Sequence, residues 1–115
     1  MKRTSLIETM ERKLETAKTA VAEFAEELAG DPLYAMSWGE NPLQAAAEVS
    51  IITPFLTALL EGVEVATLYC QLEREILNAA RYPERSTSQM HNLAAQAGNV
   101  VRAELHKQFR NVEEN

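Results

Sequence analysis

The sequence predicts an all-α fold, a helical bundle of about four main helices in one domain spanning residues 1–115, and three observations carry that prediction. Apolar residues recur at helical spacing in four separate stretches. Gly30, Gly39 and Gly62, with Pro32, Pro42 and Pro83, fall between those stretches, where breakers belong. The chain has 115 residues, 46% of them hydrophobic, which suits one core and leaves no room for a separate cofactor domain. Neither an internal repeat nor a low-complexity tract interrupts the pattern.

The first helix is expected over about residues 5–29. Ile7, Met10, Leu14, Ala17, Val21, Phe24 and Leu28 follow alternating spacings of three and four, a coiled-coil-like heptad seam. Charged residues such as Glu8, Glu11, Arg12, Lys13 and Glu15 fill the positions between, as a solvated face requires. Ser5 with Glu8 reads as a capping box at the start, and Gly30-Asp31-Pro32 as a left-handed residue and a stop at the end.

A punctuated stretch follows, with Asp31 and Asn41 each placed as an N-cap ahead of a proline. It predicts a short turn helix near 32–37. Leu33, Tyr34, Met36 and Trp38 are expected to tuck this connection onto the core; the rival reading makes Trp38 and Tyr34 anchors for a partner.

The next helix should occupy 42–61 and end at Gly62, either kinked or broken near Pro54, with Thr53 capping the second piece if it breaks. A third helix over 64–81 places Val65, Leu68, Leu72, Ile76 and Ala79 on one stripe, with Tyr69 and Leu77 broadening it. Val63, Val65, Thr67 and Tyr69 also alternate like a strand, but the length of the stretch and its Leu, Gln, Glu, Arg and Ala residues decide for helix. Ser86 with Gln89 caps a last helix over 87–111, whose inner face is Met90, Leu93, Ala94, Ala97, Val101, Leu105 and Phe109. Gly98 inside it implies a close helix approach, and 111–115 should fray.

Charge is unevenly spread. Residues 1–18 carry five bases and three acids, residues 19–80 ten acids and only Arg74, and residues 81–112 five bases and two acids, within a net charge of −6. An acidic middle disfavours wrapping nucleic acid around the whole domain. Arg81, Arg85, Arg102, Lys107 and Arg110 remain as an anion or nucleic-acid contact, although an antiparallel hairpin would hold Arg81 and Arg85 far from Lys107 and Arg110 unless a second subunit brought them together. Solvated side chains and helix-dipole partners are the simpler account of the same residues.

Catalytic signatures are absent from the sequence: it has no phosphate-binding glycine loop, no H-E-x-x-H and no G-x-S-x-G. His91 and His106 lack the Glu three residues earlier that a di-iron bundle uses. Cys70, the only cysteine, lies in an apolar stretch and reads as a small buried hydrophobe. No enzyme, cofactor or metal is expected. A lone cysteine forms no intrachain disulfide, and Met1-Lys2-Arg3 leads into polar residues rather than an apolar signal core, so a cytoplasmic setting is expected. The apolar segment 43–60 holds Glu48, which argues for a buried core helix and against a membrane span.

The function these features predict is that of a small non-enzymatic accessory or regulatory protein, of the kind frequent in phages and mobile elements, that binds another protein. It should self-associate, as a dimer by preference, through Ile7, Met10, Leu14, Ala17, Val21, Phe24 and Leu28. The alternative is a small nucleic-acid-associated regulator whose dimer joins the basic ends of the last helix.

Overall fold

The fold is all-α, as a computed structural model describing residues 2–36, 41–81 and 89–112 shows. Five helices follow one another: α1 (Arg3–Gly30), α2 (Pro32–Met36), α3 (Asn41–Leu60), α4 (Val65–Arg81) and α5 (Gln89–Arg110), with no strand among the described residues. The strand-like alternation at 63–69 is overridden by α4.

α3 is the central element, packing against α1 on one side and α5 on another, while α4 packs on α5 and α2 folds back on α1. One cluster of buried side chains joins Leu6, Met10 and Leu14 of α1 to Ile51, Ile52, Phe55, Leu56 and Leu59 of α3. Val65, Leu68 and Leu72 of α4 and Val101, Leu105 and Phe109 of α5 complete it. Phe55 and Phe109 meet edge-on, ring centroids 5.8 Å apart, the geometry their quadrupoles favour. Pro42–Leu60 is long and apolar enough to cross a membrane by length and composition; in this fold its Ile51, Ile52, Phe55, Leu56 and Leu59 are core residues, while Leu60 is 61% exposed.

Several element ends differ from the sequence expectation, each for a local reason. α1 starts at Arg3 with Lys2 as its N-cap and without a side-chain capping bond, so the Ser5–Glu8 box is not used. The extra turn is held by Arg3, whose Nη2 donates to Leu59 O at 2.7 Å and to Val63 O at 2.8 Å. That contact sets α1 and α3 antiparallel and clips the start of the chain to the end of α3. Gly30 stays helical, because the only glycine with positive φ among the described residues is Gly62. The stop comes instead from Asp31, driven to φ −140° and ψ 83° by the ring of Pro32 behind it. Asp31 then caps α2, its Oδ1 accepting from Tyr34 N at 3.2 Å, as its position before the proline implied.

α3 is unbroken across Pro54, so the division into two helices does not occur. Ser50, whose carbonyl loses its usual donor to the proline, is exposed along with Pro54, which lets water replace the missing bond. Thr53 serves not as a cap but as a back-bonder, its Oγ1 donating to Val49 O at 2.6 Å. At the end of α3, Gly62 N donates to Leu59 O and Val63 N to Ala58 O. This is a Schellman closure, and the φ of +95° at Gly62 is the reason glycine stands there. α4 begins at Val65, one residue later than expected, and α5 ends at Arg110, closed by Asn111 N to Gln108 O and Val112 N to Phe109 O. Val112 packs against the core, and residues 113–115 of the expected tail lie outside the described residues. Residues 86–88, on which the last capping box falls, lie outside the described residues.

Gly98 does mark a close approach: a Cβ there would stand 3.8 Å from Ile51 Cδ1 on α3 and 3.2 Å from Arg102 Nη1. The tighter neighbour is the far end of a flexible side chain, which can give way, and the isoleucine contact is ordinary packing. Gly98→Ala is therefore expected to stabilise the fold by about 0.5–1 kcal/mol through helix propensity, read as a higher urea midpoint. A lower midpoint would mean that Arg102 cannot move.

Candidate functional site

The heptad seam of α1 divides into two halves with different surroundings. Met10, Leu14 and Ala17 are buried, and Leu6 rather than Ile7 is the fully enclosed residue of the first turn, with Ile7 partly buried beside it. Spacing permits either register, since Leu6, Met10 and Leu14 also follow one helical stripe. These side chains are buried in the chain's own core. In the distal half, Val21 and Phe24 are half-buried and Leu28 is 42% exposed.

α2 sits beside that distal half. Ala35 of α2 is 1% exposed and small enough to let α2 lie close on α1, while the side chain of Met36 lies outside the described residues. Leu33 and Tyr34 point outward, 83% and 55% exposed, which corrects the expectation that they tuck onto the core. Trp38 lies outside the described residues. Leu28, Leu33 and Tyr34 are thus large exposed apolar side chains at the corner where α1 gives way to α2.

Of the candidate basic residues, Arg102, Lys107 and Arg110 lie on described parts of α5. Arg102 Nε is 3.7 Å from Glu75 Oε2 across the α4–α5 contact. Lys107 and Arg110 are exposed in the last turn of α5, where cations complement the helix dipole. Arg85 and the side chain of Arg81 lie outside the described residues.

Pairing along α4 and α5 runs antiparallel, Glu75 facing Arg102 and Glu73 facing His106. The His106 ring stacks on Tyr69 with centroids 4.5 Å apart, and its Nε2 is 3.6 Å from Glu73 Oε1. Sequence reasoning missed this strip; the signal was available as Tyr69 and Glu73 one turn apart on α4 opposite a histidine on α5. Cys70 is exposed, which corrects its reading as a buried hydrophobe: Leu68 and Leu72 take the inward positions and turn Cys70 outward. No three His, Cys, Asp or Glu side chains gather as metal ligands among the described residues. Leu77, expected to broaden the buried stripe of α4, is 61% exposed, because the described core stops at Leu72 with Ile76 packed on its edge.

Compared with protein-family models, with curated proteins and with solved structures, the chain matches none.

Proposed function

We propose that this protein is a non-enzymatic interaction module that dimerises through the corner made by the distal half of α1 and by α2, and acts as a small accessory or regulatory protein through such contacts. The observation that carries the reading is the exposure of Leu28, Leu33 and Tyr34 where α1 meets α2, following the half-buried Val21 and Phe24 along α1. Large exposed side chains gathered at one corner favour a contact surface over solvation. A second copy is the natural occupant, because the heptad spacing at Val21, Phe24 and Leu28 is self-complementary and a two-fold interface uses the same patch twice. The short chain gains from it, since a small domain buries a smaller share of its surface than a large one. A single cysteine without an intrachain partner fits a reducing, cytoplasmic compartment.

Light scattering on the full chain tests this reading beside Leu28→Glu and Leu33→Glu. Both substitutions fall on exposed positions, so the helical circular dichroism should be retained. The expected outcome is a dimer for the parent chain and at least about tenfold weaker association for each variant, since each places a carboxylate in an apolar contact. A parent chain that remains monomeric at several hundred micromolar removes the self-association reading.

A further inference from the structure

A groove of about 280 Å³ opens between α1, α3 and α5, away from the α1–α2 corner. Its floor is apolar, made by Ile52, Val101 and Leu105. Its rim is polar and holds two carboxylates, Glu48 and Glu104, against one ammonium, Lys13, whose Nζ lies 3.9 Å from Glu104 Oε1. Glu48 has no cation partner among the described residues. Gln108 also lines the groove, its side chain half-buried.

The groove therefore has an excess of acceptors and negative charge over an apolar floor. Its complement is a cationic donor on an apolar stem. We infer that this groove receives a lysine or arginine side chain of a partner protein: the methylenes lie over Ile52, Val101 and Leu105, and the charged head meets Glu48 at the rim. Long basic side chains combine these two properties, an apolar stem and a charged tip. The volume suits one such side chain rather than a folded segment, so the groove would act as a specificity pocket beside a larger contact. Binding there should weaken with salt, as for any half-exposed charge pair.

This inference rests on the reading of the chain as a binding module but not on dimerisation, and the two tests fail separately. Amide spectra of the full ¹⁵N-labelled chain would be followed during titration with a capped lysine peptide, with its norleucine counterpart and with n-pentylammonium. The lysine peptide is expected to shift the amides of Glu48, Val101, Glu104 and Gln108 saturably, and the norleucine peptide not to. Glu48→Gln should weaken the lysine peptide by about tenfold, the loss of one charge-assisted contact, and Glu104→Gln, at an exposed position, gives a second variant. Equal shifts from the neutral peptide, no saturable shift with the lysine peptide at tens of millimolar, or tighter binding of n-pentylammonium than of the lysine peptide would each overturn the proposal.

Discussion

Leu72→Ala is expected to cost about 3–5 kcal/mol of folding stability, the range for emptying a fully enclosed leucine site. Leu72 is 0% exposed and belongs to the cluster shared by α1, α3, α4 and α5, so the vacated space borders rigid helices from several directions and cannot collapse cheaply. Total stabilities of single domains are about 5–15 kcal/mol, so the variant should lose a large share of the whole and unfold at a much lower urea concentration. Leu77→Ala on the same helix supplies the contrast. Leu77 is 61% exposed, and its truncation should stay within about 0.5 kcal/mol. Urea unfolding of the two variants measures both, and similar losses would show that α4 is rotated from the orientation described.

Arg3→Ala should lower stability by about 1.5–3 kcal/mol, the cost of losing charge-assisted bonds to partly buried acceptors. The guanidinium spans two carbonyls at the end of α3, those of Leu59 and Val63, and brings a positive charge to the helix terminus that favours one. Leu59 O retains Gly62 N as a second donor, so the larger share of the loss falls at Val63. Arg3→Lys should recover less than half of the effect, since one ammonium lacks the planar fork that reaches two acceptors at once. Thermal melting provides the measure, at roughly 4–8 °C per kcal/mol for a chain of this size. An unchanged melting temperature in Arg3→Ala would show that the clip contributes nothing.

How much of this fold can be read in the sequence varies with the kind of signal. Helical periodicity and the breakers at Pro32 and Gly62 locate all five helices to within a few residues, because both act through the local backbone. Asp31 is legible as the cap of α2 for the same reason: its acceptor and the donor of Tyr34 are three residues apart. The start of α1 is not legible, since the turn at Arg3 is held by carbonyls 56 and 60 residues away. Nor is the fate of Pro54, whose tolerance inside α3 depends on which side of that helix meets solvent.

The candidate site divides along the same line. Periodicity marks the apolar face of α1 from Ile7 to Leu28, but hydrophobicity says only that a face should be covered and not by what. α3 covers Met10 and Leu14, while Leu28 is left partly exposed beside Leu33 and Tyr34. Likewise the groove beside α5 joins Lys13, Glu48 and Gln108 from three helices, a constellation without a sequence spacing.

By itself the sequence determined the all-α class, the number and order of the helices, and the glycine at the end of α3, because each follows from contacts within a few residues. Only the tertiary structure decided which half of the α1 seam belongs to the core, which way Leu77 and Cys70 face, and where Arg3 and Arg102 find their partners. Those outcomes depend on side chains distant in sequence being brought within a few ångströms, and no local propensity encodes which distant neighbour arrives.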